Sequence, residues 1–157
     1  MQKKITTFLT YDGQAEEAMN LYTSVIPNSR ITSTRYYGEA GPGEAGSLMT
    51  GTFELDGQEF MALNGGSSFT FGQGFSLFVS CETQEEVDDL WEKLSEGGEP
   101  GRCGWLTDKF GVSWQIIPRQ LGELLGDADP GRANRAMNAM LQMGKIEIAE
   151  LEQAAAG

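Results

Sequence analysis

The stretch Glu16-Glu17-Ala18-x-x-Leu21-Tyr22 recurs as Glu85-Glu86-Val87-x-x-Leu90-Trp91, at an offset of 69 residues (85 − 16), and the strand-like segments before both copies keep that spacing. A period near 70 is too long for a solenoid. Two copies instead imply a pseudo-symmetric pair of modules sharing one curved sheet. Further on, Gly57 ahead of Phe60 matches Gly111 ahead of Trp114, an offset of 54 (111 − 57), so the second copy is 15 residues shorter (69 − 54) between helix and closing hairpin. The Gly-rich run Gly38 to Gly46 accounts for much of that difference.

Each copy reads as strand, helix and three strands. Ile5 to Tyr11 alternates β-branched and aromatic residues with polar ones and stops at Asp12-Gly13. Ala15, Ala18, Met19, Tyr22, Val25 and Ile26 then fall at helical spacing up to Pro27. Arg30 to Tyr37, Leu48 to Leu55 and Glu59 to Leu63 are predicted strands, with Asp56-Gly57 marking a hairpin. In the second copy Phe75 to Cys81 is the first strand, and Thr83 with Glu86 forms a helix-opening capping box. Val87, Leu90, Trp91 and Leu94 give that helix its buried face before Gly97-Gly98 closes it. Strands near Glu99 to Arg102, Gly104 to Lys109 and Val112 to Ile117 follow. The first module therefore covers about residues 1–66 and the second about 74–118. Residues 119–157 form a helical tail, with Asp129-Pro130 as a helix start and a stripe of Ala136, Met137, Met140 and Met143 behind it. That stripe fills a partner's groove or docks on the chain's own sheet.

Composition removes several classes of function. Histidine is absent from all 157 residues, so no imidazole base, His metal ligand or Ser-His pair exists. Eleven basic against 23 acidic residues give a net charge of −12, which repels a polyphosphate backbone and argues against nucleic acid as a partner. No run approaches the roughly 20 apolar residues of a membrane-spanning helix. The start, Met1 to Thr10, lacks the apolar run of a secretory leader. Cys81 and Cys103 make no disulfide framework or CxxC motif, so a cytoplasmic protein is expected.

The motifs Tyr11-Asp12-Gly13-x-Ala15-Glu16-Glu17-Ala18-Met19, Ala62-Leu63-Asn64-Gly65-Gly66, Cys81-Glu82-Thr83-Gln84-Glu85-Glu86-Val87 and Asp108-x-Phe110-Gly111-x-Ser113-Trp114-Gln115-Ile116 occur in this order. Together with the Arg135-Ala136-Met137 to Met143 tail, they resemble the PhnB-like branch of the glyoxalase/bleomycin-resistance (vicinal oxygen chelate) superfamily, often labelled 3-demethylubiquinone 3-methyltransferase-like. The resemblance implies an α+β fold of two βαβββ modules forming a cup, and a homodimer. It also implies a divalent metal on the cup's floor, held from the first and last strands of each module. Those positions fall on Met61 and Gln115, and near Ile5 to Thr7 and Gly74 to Ser76. Met is a weak donor, and Thr, Ser and Gln offer only neutral oxygens, so the metal site is expected to be lost and no cofactor retained.

Without the metal, what remains is a hollow for an unknown small molecule. Thr7, Leu9, Met61, Leu63, Ser76, Phe78, Trp105 and Gln115 have the parity for its wall, or they pack a closed core. Gln115 either bonds a bound molecule or is satisfied by neighbouring backbone. Cys103, beside Arg102 in a Gly-flanked turn, is either a stabilised thiolate or an inert thiol. Asp108 is read as a turn residue that bonds its own backbone. Gly38 to Gly46 lacks the Lys-Ser/Thr of a phosphate loop and is read as a flexible loop, while Asn64 to Gly74 is a linker or a lid. The leading expectation is a metal-free binding or sequestering protein. The alternatives are a glyoxalase- or dioxygenase-like enzyme with its metal on Glu54, Glu59 or Asp108, and a methyltransferase, whose usual alternation of strands, helices and a Gly-rich loop is missing.

Overall fold

A computed structural model describes residues 3–157; Met1 and Gln2, which open the segment read as leaderless, lie outside the described residues. The chain divides into two compact units, one ending at Thr70 and the other running from Phe71 to Gly157. Each unit holds its own four-stranded mixed sheet.

The first unit runs β1 (Thr7–Tyr11), α1 (Ala15–Val25), β2 (Arg30–Tyr36), β3 (Leu48–Leu55) and β4 (Gln58–Asn64). Its order is β1-β4-β3-β2, with only β1 and β4 parallel. Asp56 and Gly57 both have positive φ (49° and 80°), as a two-residue type I′ hairpin between β3 and β4 demands. The buried side of α1 presents Ala15, Ala18, Met19 and Tyr22 to the sheet. There Tyr22, Phe53 and Phe60 form an aromatic core, Phe53 stacking on Phe60 at 5.4 Å between centroids. Gly51 lets α1 come close: a Cβ at that position would run into the Sδ and Cε of Met19.

The second unit runs β5 (Ser76–Cys81), α2 (Gln84–Ser95), β6 (Glu99–Pro100), β7 (Trp105–Thr107), β8 (Ser113–Pro118), α3 (Arg119–Leu125), α4 (Pro130–Met140) and α5 (Ile148–Ala156). Its order, β5-β8-β7-β6 with only β5 and β8 parallel, repeats the first. The first strands of the two sheets lie 69 residues apart (76 − 7), as do the two helices (84 − 15). The capping box forms: Thr83 Oγ1 accepts the Glu86 amide at 3.2 Å. Glu86 reaches back one residue further than usual, accepting the Glu82 amide at 3.1 Å. Val87, Leu90 and Leu94 are buried, whereas Trp91 is only half-buried.

The tail docks on its own module. Met143, Ile146, Leu121 and Leu151 bury themselves with Ile117 of β8. Gln84 at the start of α2 ties down the approach to α5, donating to the Ile146 carbonyl at 2.9 Å and accepting the Ile148 amide at 2.7 Å. Asp129 caps α4 through the Gly131 amide at 3.0 Å, with Pro130 in the first turn. Among the described residues, no helix is long and apolar enough to cross a membrane.

Candidate ligand site on the second sheet

In the second unit the face of each strand is set by what α2 covers. Trp114 and Ile116 of β8 and Leu106 of β7 are buried there, so their neighbours in sequence turn to the opposite face. Registry then aligns two rows across three strands: Ser76, Ser113 and Thr107 in one, Phe78, Gln115 and Trp105 in the next. Four of the expected site residues, Ser76, Phe78, Trp105 and Gln115, are thereby brought onto one open face. Gln115 Nε2 donates to Ser76 Oγ at 3.0 Å, so the amide is held by a side chain and not by backbone. Phe78 remains 60% exposed.

A cavity of about 350 Å³ is lined by Trp105, Thr107 and Ser113 together with Gln73, Leu106 and Arg102. Ser113 is only 3% exposed and contributes to this wall. Arg102 sits at the rim, fixed by a bond from Nη2 to the Leu141 carbonyl at 3.1 Å, at the end of α4. Sequence reasoning singled out neither Arg102 nor Ser113 for this site. Thr107 was missed as well; its parity with Trp105 was the available signal.

The first sheet departs from expectation on β1. Thr7 and Leu9, expected on the wall, lie on the face beneath α1, where Leu9 is 2% exposed and belongs to the core. Phe8, 50% exposed, occupies the opposite face with its register partner Met61, and Thr10 does so with Leu63. β1 carries apolar side chains on both faces, so alternation alone did not fix its facing; parallel pairing with β4 does. A second cavity, of about 370 Å³, lies where β1 and β4 end, lined by Asp12, Glu16, Tyr37, Ser47 and Asn64 among others. None of Thr7, Leu9, Met61 or Leu63 lines it. Asn64 organises this region, accepting the Ala15 amide at 2.8 Å on its side chain and the Tyr37 hydroxyl at 2.7 Å on its carbonyl. The loop read as flexible folds over Tyr37: Tyr37 and Ser47 pair through backbone at 2.8 Å, and a Cβ on Gly43 would strike the Tyr37 ring.

Asp108 and the two cysteines have defined places in the fold. Asp108 is buried, its Oδ1 accepting the Phe110 and Val112 amides at 2.9 and 3.0 Å and its Oδ2 the Trp114 indole N–H at 2.9 Å. That is the turn role expected of it. Cys103 adopts φ 57° and donates its amide to the Met143 carbonyl at 2.8 Å, serving as a docking point for the tail. Cys81 is fully buried, and burial, then Glu86 and Glu82, push its thiol up to about 12.

At the positions the resemblance marks for a metal, neither unit's own residues fit a dication. Met61 supplies a thioether, Gln115 is engaged with Ser76, and neither first strand brings a carboxylate. The alternative carboxylates do not make up the deficit. Glu54 pairs with Arg30 at 3.2 Å, Glu59 accepts the Thr6 hydroxyl at 3.3 Å, and Asp108 is committed to its turn. No group of three or more Cys, Asp or Glu able to hold a metal occurs among the described residues.

The sequence model of the family described as 3-demethylubiquinone-9 3-methyltransferase matches residues 3–117. The PhnB protein from Bacillus cereus is 46% identical, its likeness covering 74% of this chain and 99% of its own, with a TM-score of 0.68. The chain belongs to this PhnB-like family. Protein PA1353 from Pseudomonas aeruginosa shares the fold at a TM-score of 0.61 and 19% identity, over 74% of this chain and 98% of its own. A glyoxalase/bleomycin resistance protein from Albidiferax ferrireducens T118 is similar at a TM-score of 0.47 and 13% identity, over 74% and 99% of the two chains. No curated protein matches the chain.

The family's descriptive name implies S-adenosylmethionine, and this chain's architecture does not fit the common site for it. That site opens on a Gly-rich turn between strand and helix of a doubly wound parallel sheet. Here each sheet has a single parallel pair, and the turn into α1 places Asp12 and Glu16 at its cavity.

Proposed function

We propose that this PhnB-like protein binds a small organic molecule on the open face of β5, β8 and β7 and does so without a resident metal ion. What supports the reading is the pair of rows Ser76–Ser113–Thr107 and Phe78–Gln115–Trp105, with Trp105, Thr107 and Ser113 lining a cavity of about 350 Å³. An apolar, aromatic surface with a few convergent polar groups is the usual make-up of such a site. Met61 and Leu63, with Phe8 and Thr10 in place of Thr7 and Leu9, form the corresponding face of the first sheet and are proposed as that unit's own binding surface.

A saturation-transfer NMR screen of small aromatic and aliphatic molecules against chelator-treated protein tests this. Binders are expected whose signals are lost in Trp105→Ala; binding that survives that substitution and Gln115→Ala alike would place the site elsewhere.

The protein is further inferred to pair with a second copy, as the resemblance implies, and to work in a reducing compartment, where its two unpaired cysteines stay reduced. Light scattering should then give twice the 17.1 kDa chain mass.

A further inference from the structure

We infer that the cavity of the second unit selects anionic aromatic molecules, above all planar carboxylates, with Arg102 taking the negative group and Trp105 the ring. This rests on the proposed binding reading and narrows it to a ligand class.

The two cavities are almost equal in volume, about 350 and 370 Å³, but opposite in charge. The first unit's is lined by Asp12 and Glu16 and carries no cation. The second unit's has a single charged lining residue, Arg102, in a chain whose net charge is −12. A free anion is repelled by most of this protein's surface, so a lone guanidinium at a cavity with no carboxylate in its wall is the place where it is tolerated.

Arg102 is also positioned for the task. Its Nη2 is anchored on the Leu141 carbonyl, and among the described residues that is its one hydrogen bond. A guanidinium has five N–H donors in a rigid fork, so four remain for a carboxylate. Capping the end of α4 uses one nitrogen, and because Arg102 is exposed the rest of the fork is open to an incoming carboxylate. Beside it Trp105 is half-buried and offers an indole surface, while the Ser113 and Thr107 hydroxyls lie on the same wall. A cation, a planar apolar surface and short hydroxyls together match a flat ring bearing a carboxylate.

The test uses benzoate, its neutral isostere benzamide and its cationic counterpart benzamidine as probes, with Kd values from NMR titration of the full chain. Benzoate is expected to bind about tenfold or more tightly than benzamide, the scale of one charge-assisted hydrogen-bonded contact, and benzamidine most weakly. Arg102→Gln should erase the preference for benzoate over benzamide, and Arg102→Lys should restore part of it. Equal affinity for benzoate and benzamide in the native protein, or a preference that survives Arg102→Gln, overturns the anion assignment and leaves the binding reading standing. Binding of all three probes that ignores Trp105→Ala, or no binding of any, overturns both.

Discussion

The indole N–H of Trp114 donates to Oδ2 of Asp108 at 2.9 Å inside the second module, while Oδ1 of the same carboxylate holds the Phe110 and Val112 amides. A residue that looks reactive in sequence is thus the clamp that turns β7 back into β8 and seats the largest side chain of that core. Asp108→Ala is expected to lower unfolding free energy by about 3–5 kcal/mol, because three buried donors lose their acceptor. Asp108→Asn should cost less, about 1–2 kcal/mol, since one amide oxygen remains for the backbone donors. Urea denaturation of the variants measures both.

Met19 and Gly51 are matched across the interface of α1 and β3. Gly51→Ala should cost about 1–3 kcal/mol by overpacking, because its Cβ meets the Met19 thioether in a fully buried layer. Shortening the other partner relieves that clash. A double-mutant cycle with Met19→Val should therefore show Gly51→Ala costing less in the shortened background, and strict additivity would contradict the packing account.

The tail's attachment has a pH signature. Lys145 bonds Asp88 at 2.7 Å, and Lys145 first, then Gln84, hold the Asp88 carboxyl below its ordinary value of 3.8. Stability from a lowered carboxyl is present above that ordinary value and is lost as pH falls through the lowered one. The pair is solvent-exposed, so its share is under about 1 kcal/mol. Asp88→Asn should lower the Tm slightly at pH 7, and the gap to the native protein should close as pH drops below 3.8.

The two thiols should separate by reactivity. Cys81, buried and pushed up to about 12, stays protonated at pH 8 and should resist Ellman's reagent until the protein is unfolded. Because its folded value lies above the ordinary 9.0, its neutral form contributes fully below pH 9.0, and stability declines as pH climbs toward about 12. Cys81→Ala should flatten that decline in alkaline denaturation curves.

Most of the fold was readable because local signals agreed with one another. The repeat spacing of 69, the Thr83–Glu86 capping pair, the Asp56-Gly57 hairpin and the Asp129-Pro130 helix start each reappear where their chemistry demands. Strand facing was readable on β8, where Trp114 and Ile116 are apolar on one side and Ser113 and Gln115 polar on the other. On β1 it was not, since Phe8 is apolar on the open face and Leu9 on the covered one. Arg102 was legible only as the neighbour of Cys103, because its place at the cavity depends on Leu141, 39 residues away, and on a wall drawn from separate turns. Such long-range placement leaves no local periodic trace.

The most direct test of the central claim is the affinity of benzoate for the chelator-treated chain, measured by calorimetry with and without added Mn²⁺, Ni²⁺ or Zn²⁺. The account predicts saturable binding whose Kd is the same in every case. Binding that appears only when one of these ions is added, at one ion per chain, would contradict it.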